Sequence, residues 1–478
     1  MRRRPRSLAL VAALLSVAAC GGGVDGSPGA SGLRDPYFPK LGNGGYDVTH
    51  YSLNLAYDPD GHRLTGTATL TATALQDLSA FNLDLHGLAV AGVTVDKKRA
   101  RSQRAGNELT IRPFDELPEG HTFRTVVRYS GEPATITDPD GSEEGWLRTD
   151  DGALGLGEPT GSMAWFPGNH HPSDKATYTI AVSVPTGVQA VSNGELTGTK
   201  RSAYGKTVTY TWRVTQPMAS YVATVAIGKF ETHTSRTPAG IPVYTAVDPE
   251  QAAASAKVLA RLPEVVDWET RTFGAYPFSS TGAIVEREGD AGYALETQNR
   301  PVFPGAPDVG LLVHEMAHQW YGDSVTPKTW RDMWLNEGFA TYAEWLWEEQ
   351  RADDPVSAQE SFDAAYDHAP DSAVWAFPPA DPPSAAHISD SPVYQRGAMV
   401  LHRIRKTIGD AKFFALLKSW PADHKYGNAD THDFTAYVER ANPTEKDALA
   451  KVWKDWLYGK GKPDAPDDPD DRDDPDES

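Results

Sequence analysis

One stretch, Leu311 to Trp347, limits what this chain can fold into more than any other. It contains His314 and His318, four residues apart, and Glu337 follows in an Asn-Glu-Gly sequence. If residues 309–321 form a helix, positions i and i+4 project from the same side, so both imidazoles reach one point in space. Two imidazoles and one carboxylate suit a zinc ion whose fourth position stays open to water, which is typical of catalytic rather than structural zinc.

Glu315 directly follows the first histidine and therefore lies about 100° around the predicted helix. It cannot easily join the ligands, but it can take a proton from a water molecule at the metal. The alternative is an amphipathic helix whose histidines fall at i and i+4 by chance. The apolar residues around the motif, and a second apolar helix that carries Glu337, make that alternative weaker.

The start of the chain is typical of an exported protein. Basic residues precede an apolar run from Leu8 to Ala19, and Cys20 follows. The run is too short to span a membrane, and its Val-Ala-Ala-Cys ending resembles a bacterial lipobox. We predict a signal peptide over residues 1–19 and lipid on Cys20, with an ordinary signal peptide as the alternative. Because Cys20 is the only cysteine in 478 residues, intramolecular disulfides are excluded.

Segments of biased composition flank the central part of the chain. Residues 20–35 are rich in Gly and Ser, which predicts a flexible tether, and residues 463–478 read as a disordered acidic tail. From position 464 onward nine acids stand against one arginine, a net charge of −8 out of −20 for the whole chain. The rest is only moderately acidic, which argues against nucleic acid as a partner. We expect a monomer anchored through Cys20.

Residues 36–462 are too many for one ordinary domain and fit two. Over 36–236 apolar and polar residues alternate with period two, which predicts an all-β antiparallel domain with a hairpin turn at Asn193-Gly194. Over 237–462 helical periodicity predominates with a few strands, which predicts an α+β domain that carries the metal. The predicted helices are 250–271, 309–321, 332–350, 396–408 and 444–457.

The chain contains His314-Glu315-x-x-His318, then eighteen residues, and then Glu337 within Trp-Leu-Asn-Glu-Gly-Phe-Ala. This order resembles that of the gluzincin zinc aminopeptidases, the family of aminopeptidase N and leukotriene hydrolase. The resemblance covers nearly all of 36–462. It implies a thermolysin-like catalytic domain after the β domain, one zinc ion, and removal of N-terminal residues from peptides. With the lipobox, it implies an enzyme anchored at the outer face of a bacterial membrane. Longer relatives add a helical domain over the site, so we expect a short form with a more open site.

The resemblance also implies further site residues. Tyr394, in Val-Tyr-Gln-Arg-Gly, matches the family tyrosine whose hydroxyl helps to hold the oxyanion. Glu296 matches the glutamate of Gly-x-Met-Glu-Asn that binds the substrate's amino group, although Tyr293 stands where that motif begins with Gly. Glu158 matches a second acidic contact that comes from the β domain. Two carboxylates around one ammonium group would fix the amino end at a set distance from zinc.

Some questions stay open at this point. Thr341 and Glu344 are both candidates to accept the other N–H of a zinc-bound histidine. The adjacent His170 and His171 point apart, so we interpret them as part of a surface loop. A related hydrolase could open an epoxide or cut peptides internally, and a surface lipoprotein could bind peptides without catalysis. The presence of Glu315 argues against the last reading, because a binding protein needs no general base.

Overall fold

Nineteen strands precede the first α-helix in the computed structural model, which describes residues 25–465. Cys20, the predicted signal peptide and most of the predicted acidic tail lie outside the described residues. The strands are β1 (Ser27–Pro28), β2 (Tyr46–Asp58), β3 (Arg63–Ala74), β4 (Leu78–Asp84), β5 (Ala89–Val95), β6 (Lys98–Arg99), β7 (Arg101–Ala105), β8 (Glu108–Arg112), β9 (Thr122–Gly131), β10 (Thr135–Thr137), β11 (Glu143–Arg148), β12 (Ala153–Leu156), β13 (Lys175–Pro185), β14 (Gln189–Ser192), β15 (Glu195–Arg201), β16 (Thr207–Ala219), β17 (Val225–Gly228), β18 (Glu231–Arg236) and β19 (Pro242–Val247).

The largest sheet has eight strands in the order β15-β16-β13-β2-β3-β9-β5-β6. Along β13 the side chains alternate between buried and half-buried, which matches the period-two pattern of the sequence. Neighbouring strands are antiparallel except for β2 and β13, which run parallel. The long connection through residues 59–174 makes a parallel crossover possible. The predicted β-rich first domain is therefore confirmed, with one parallel pair in this sheet and another, β1 with β4, in a smaller one.

Two further sheets complete the β part, in the orders β10-β11-β12-β17-β14 and β1-β4-β8-β7. The predicted hairpin at Asn193-Gly194 is wrong, because β14 and β15 on either side belong to different sheets. Gly194 has a φ of +74°, and the Asn193 amide donates to the carbonyl oxygens of Val222 (2.9 Å) and Gln298 (2.8 Å). The pair forms a corner between two sheets.

The second part of the chain combines a small mixed sheet with helices. Its sheet has the order β18-β19-β20-β21, and β18 ends at Arg236, the last residue of the predicted first domain. The predicted domain boundary stays a prediction. The remaining strands are β20 (Thr281–Val285), β21 (Val302–Phe303), β22 (Thr326–Pro327) and β23 (Asn428–Ala429). The helices are α1 (Ala252–Leu259), α2 (Leu262–Phe273), α3 (Val309–Ala317), α4 (Trp334–Arg351), α5 (Ala358–Tyr366), α6 (Gly397–Ile408), α7 (Asp410–Asp423), α8 (Thr431–Ala441) and α9 (Lys446–Val452). Over residues 25–465, none of them is long and apolar enough to cross a membrane.

Several helix bounds differ from the predictions. The helix predicted over 250–271 is split into α1 and α2, because Pro263 suits the first turn of a new helix and not the interior of a longer one. The helix predicted over 309–321 ends at Ala317, and the one over 444–457 continues beyond α9 only as a π-helical turn. Helices α5, α7 and α8 lie outside the predicted segments.

Helix α4 packs against both α3 and α6, and a pair of glycines sets its distance from α6. A Cβ atom on Gly338 or Gly397 would lie 3.0 Å from the Cα of the other glycine. Such a contact is tighter than most packed side chains make, and the atoms that would have to shift are backbone, so glycine suits this approach. As a result, Glu337 lies directly beside the segment that leads into α6.

Lys175, at the start of β13, connects the β part to the second part. Its ammonium group donates to the carbonyl oxygens of Asp323 (2.8 Å) and Ser324 (3.0 Å) and to the Thr326 hydroxyl (2.7 Å). Burial lowers the pKa of Lys175 to about 7, although the negative charge of Asp323 opposes this effect. The contact fixes the β part against the segment that follows α3.

Candidate active site

Helix α3 presents the two histidines of the motif. The Asp308 side chain caps its N-terminus by accepting a hydrogen bond from the Leu311 N–H (2.8 Å). His318 follows the last helical residue, but its φ and ψ of −58° and −23° are still helical, and its N–H donates to the His314 carbonyl (3.4 Å). The i, i+4 geometry therefore holds although the helix ends earlier than predicted.

Glu337, in the first turn of α4, meets both imidazoles. Its Oε2 lies 3.2 Å from Nε2 of His314 and 3.3 Å from Nε2 of His318. One ligand atom from each of the three residues lies within 4.8 Å of the others, and all three side chains are buried. The structure thus brings together the three residues that the sequence predicts as metal ligands.

The other ring nitrogens show which atoms face the centre of this group. Nδ1 of His314 lies 2.6 Å from Oε1 of Glu344, and Nδ1 of His318 lies 3.0 Å from the Tyr321 carbonyl oxygen. Because both oxygens accept, each Nδ1 carries a hydrogen, and in its neutral form each ring turns the lone pair of Nε2 toward Glu337. Three acceptor atoms then converge with no donor between them. Nitrogen and oxygen ligands with this geometry fit a zinc ion.

The electrostatics of the three residues favour a positive charge at their centre. Burial lowers the pKa of His318, but the negative charges of Glu337 and Glu296 outweigh it and raise that pKa to about 10. Burial raises the pKa of Glu337, but the two histidines outweigh it and lower that pKa to about 2. Without a metal, a proton on these rings provides that positive charge, and a divalent cation would provide it instead, with both rings neutral.

Replacing Glu344 by glutamine should weaken zinc binding about 10- to 100-fold. The neutral amide is a poorer acceptor for the His314 Nδ1–H, so Nε2 becomes less basic. Titration against a chromophoric chelator measures the affinity. Thr341→Val, one turn away on α4, is the matched control, because the Thr341 hydroxyl has no hydrogen-bond partner in the described part of the chain. An unchanged affinity in Glu344→Gln would exclude Glu344 from the metal site.

Glu315 lies beside the three ligands without joining them. Its side chain is 4% exposed and lines a cleft that His314, His318 and Glu337 also line. Its Oε2 has no hydrogen-bond partner among residues 25–465. Burial raises the pKa of Glu315 to about 8, although His314 and His318 oppose the rise. An unpaired carboxylate oxygen next to a metal centre is placed to exchange a proton with water.

Two more carboxylates lie next to Glu337. Glu296 follows Leu295, which exchanges paired backbone hydrogen bonds with Val302 of β21 (2.9 and 2.8 Å), and Glu158 lies just after β12. One oxygen each from Glu158, Glu296 and Glu337 lies within 4.8 Å of the others. Burial, and then the negative charge of Glu296, raise the pKa of Glu158 well above its usual value. Carboxylates this close repel one another, so a cationic group from outside, such as an ammonium, would stabilise their charged forms.

Gln319 makes a connection that no sequence signal indicates. Its Oε1 accepts a hydrogen bond from the Asn299 N–H (2.8 Å), and its Nε2 donates to the Glu296 carbonyl oxygen (3.4 Å). Because Gln319 directly follows His318, it links the end of the metal-binding helix to the segment that carries Glu296. Its place next to the second histidine is the only hint that the sequence offers.

Tyr394 lies in a π-helical turn, Pro392–Arg396, that leads into α6. Its ring stacks on the His314 imidazole with an interplanar angle of 16° and a centroid distance of 6.0 Å. Burial and the surrounding carboxylates raise the pKa of the phenol well above its usual value, so the hydroxyl keeps its proton and can donate it in a hydrogen bond. Such π-helical turns are frequent at functional sites.

These residues line one cleft of about 850 Å³. Carboxylates dominate its wall, and none of the described residues that line it is a lysine or an arginine. The acidic residues of the wall are Asp138, Asp140, Glu143, Glu158, Glu296, Asp308, Glu315, Glu337 and Glu344. Tyr293, the departure from the Gly-x-Met-Glu-Asn pattern, also lines the cleft, and its hydroxyl donates to the Glu158 carbonyl oxygen (3.3 Å).

The surface loop predicted at His170 and His171 is wrong. The two side chains are 3% and 4% exposed. Nε2 of His170 bonds to the Phe166 carbonyl oxygen (2.9 Å), and Nδ1 of His171 bonds to the Ser173 hydroxyl (2.7 Å). Both histidines therefore belong to the packing of the β part and take no part in the cleft.

The fold and the site together define the architecture of a two-domain zinc metallopeptidase. The chain belongs to the peptidase M1 family. Residues 48–222 match the Peptidase M1 N-terminal domain, and residues 307–456 match the Peptidase family M1 domain. The family, the fold class and the zinc ion predicted from the sequence are thereby confirmed.

Solved structures and curated proteins agree on this family. An M1 zinc metallopeptidase from Deinococcus radiodurans, solved as a mutant bound to a Tyr-Ser-Ala substrate, is 29% identical, with a TM-score of 0.82 over 91% of this chain and 99% of that chain. Glutamyl aminopeptidase from Bos taurus is 28% identical over 63% of this chain and 34% of its own length. Aminopeptidase A from Gloydius brevicauda is 24% identical over 87% of this chain and 46% of its own length. The chain thus spans less than half of these curated relatives.

Proposed function

We propose that this protein is a zinc-dependent aminopeptidase that removes single residues from the N-termini of peptides. The observation that carries the proposal is the position of Glu158 and Glu296, each with an oxygen within 4.8 Å of Glu337, the residue that meets both histidines. A free ammonium group held by these two carboxylates places the first peptide bond at the metal centre. The names of the related aminopeptidases support the same activity.

His314, His318 and Glu337 would hold the zinc ion. Bound there, zinc supplies the Lewis acidity that polarises the scissile carbonyl and makes water acidic near neutral pH. Glu344 and the Tyr321 carbonyl keep the two rings in the orientation that this requires.

The remaining residues bind the substrate and move protons. Glu158 and Glu296 hold the ammonium group, so the peptide can extend in only one direction from the metal. Glu315 accepts a proton from the attacking water and passes it to the leaving nitrogen. The Tyr394 hydroxyl donates a hydrogen bond to the carbonyl oxygen as negative charge develops on that atom.

The test is whether cleavage depends on a free amino group. We expect hydrolysis of leucine anilide and a loss of at least about 10²-fold in kcat/KM for N-acetyl-leucine anilide, because acetylation leaves the carboxylates of Glu158 and Glu296 without their cationic partner. Equal cleavage of the blocked anilide would contradict the proposal and indicate an enzyme that cuts internal bonds. Opening of an epoxide without release of the anilide would identify a different hydrolase.

For the location, we propose that lipid on Cys20 anchors a monomer at the outer face of a bacterial membrane. The apolar run with its Val-Ala-Ala-Cys ending supports this proposal. Mass spectrometry of the mature N-terminus should show acylated Cys20, and Cys20→Ala should release the protein from membranes. A mature chain that starts elsewhere, without lipid, would indicate secretion instead.

A further inference from the structure

Tyr293 connects the two segments that carry the carboxylates assigned to the substrate's amino group. Its backbone lies three residues before Glu296, and its hydroxyl donates to the carbonyl oxygen of Glu158 (3.3 Å). Glu158 follows β12 of the β part, whereas Tyr293 and Glu296 lie between β20 and β21 of the second part. The side chain therefore reaches from one half of the molecule to the other at the proposed amine site.

The ring of Tyr293 is held by a buried apolar cluster to which both halves contribute. The half-buried ring packs against this cluster, which includes Leu154 and Leu156 of β12 and Leu295, the residue before Glu296. A tyrosine side chain has only two rotatable torsions, so packing of the ring also fixes the place of its hydroxyl. Tyr293 can therefore act as a rigid connection between the two segments.

The loop that carries Glu158 is held on another side by Glu144 of β11. Oε1 of Glu144 accepts hydrogen bonds from the Thr160 N–H (3.0 Å) and from the Thr160 hydroxyl (2.6 Å). Both bonds lie within the β part, so they fix the shape of the loop but not its distance from Glu296. The hydrogen bond from Tyr293 is a contact that can set this distance.

This contact opposes the repulsion between the two carboxylates of the amine site. One oxygen of Glu158 and one of Glu296 lie within 4.8 Å of each other, and at this distance the two groups repel each other when both are charged. The Tyr293 hydroxyl bonds to the backbone oxygen of Glu158 and not to its carboxylate. Both carboxylate oxygens therefore stay available to an ammonium group.

We propose that Tyr293 is a positioning residue that keeps Glu158 at the distance from Glu296 at which both carboxylates hold the substrate's amino group. This inference rests on the proposed aminopeptidase function. Tyr293 acts through Glu158 and does not take part in the chemical step. It stands where the Gly-x-Met-Glu-Asn pattern begins with glycine, so a chain that follows the pattern has no side chain there to make this contact.

The kinetic test removes only the hydroxyl, in Tyr293→Phe, and compares leucine anilide with N-acetyl-leucine anilide. Loss of the hydrogen bond should raise KM for leucine anilide about three- to tenfold and change kcat less than about twofold, because the contact supports binding and not the chemical step. The kcat/KM of the blocked anilide should stay the same, because this substrate has no ammonium group to be held. The preference for the free amine should therefore shrink by the factor by which KM rises.

Tyr244→Phe is the matched control, because Tyr244 packs against the same apolar cluster but lines a different groove. It should leave the kinetics of both anilides unchanged. Thermal unfolding and zinc content should match the wild type in both variants. An equal loss of kcat/KM for the two anilides in Tyr293→Phe would overturn the inference, because the hydroxyl would then support the fold or the metal site in general.

Binding gives a second readout that needs no turnover. By calorimetry, zinc-loaded Tyr293→Phe should bind L-leucine about three- to tenfold more weakly than the wild type. It should bind 4-methylpentanoic acid, which lacks only the amino group, as the wild type does. If the wild type requires the free amine and Tyr293→Phe changes neither KM nor the affinity for L-leucine, the inference is overturned and the aminopeptidase function stands. A wild type that cleaves both anilides equally would reject the aminopeptidase function and this role of Tyr293 with it.

Discussion

Replacement of Glu315 by glutamine is expected to lower kcat for an aminoacyl anilide on the order of 10²- to 10⁴-fold. The amide has nearly the shape of the carboxylate but cannot accept a proton from water and return it to the leaving nitrogen. Zinc content and KM should change little, because Glu315 lies beside the three ligands and not among them. Steady-state kinetics combined with metal analysis of the purified variant measures both effects.

Glu315→Asp is the matched comparison, because it keeps the carboxylate and shortens its reach by one methylene group. It should recover part of the activity that Glu315→Gln loses. If Glu315→Gln retained more than about a tenth of the wild-type kcat, the loss of activity would be smaller than general-base catalysis contributes. Another residue of the cleft would then have to be the general base.

Replacement of His318 by alanine is expected to remove both the zinc ion and the activity. The side chain is 1% exposed and contributes one of the three converging acceptor atoms, so its loss leaves too few ligands to retain the metal. Since the metal supplies several kcal/mol of transition-state stabilisation, kcat/KM should fall by at least about 10³-fold. The zinc-to-protein ratio, measured by atomic absorption, should fall from one to near zero.

His432→Ala is the control for this variant. His432 is exposed on α8, where it lies near Asp430 and Asp433 in another cluster of potential ligands. We expect zinc content and activity to be unchanged in His432→Ala. Zinc that persisted in His318→Ala and disappeared in His432→Ala would move the metal site away from the cleft.

The local part of the site could be predicted from the sequence, because its geometry follows from one helix. His314 and His318 are related by the helical repeat, and the bond between the His318 N–H and the His314 carbonyl preserves that relation where the helix ends. The choice between Thr341 and Glu344 could not be made in this way. Both lie on the same face of α4, and only the packing of α3 against α4 brings the Glu344 carboxylate to Nδ1 of His314.

Two of the helices outside the predicted segments begin with a capping pattern, which an analysis of hydrophobic periodicity does not detect. Helices α5 and α8 begin with capping boxes, Ser357 with Glu360 and Asp430 with Asp433. A search for the pattern of a small polar residue followed three positions later by an acid would have indicated both starts. Helix α7 has no such cap and contains Pro421, so neither signal predicts it.

Contacts between residues distant in sequence could not be predicted. Gln319 reaches Glu296, and Tyr293 reaches Glu158, through folding of separate segments against one another. The burial of His170 and His171 likewise depends on β strands far away in the chain.

Lys175 has a consequence for how the enzyme meets its substrate. Its ammonium group donates to three oxygens of the segment just after α3, so this contact ties the two halves of the molecule together. Glu158 comes from one half and Glu296 from the other, and any rocking between the halves would change the gap that an incoming peptide terminus must fill. The proposed grip on that terminus would thus be assembled in advance, and exchanging the β half as an independent module would dismantle it.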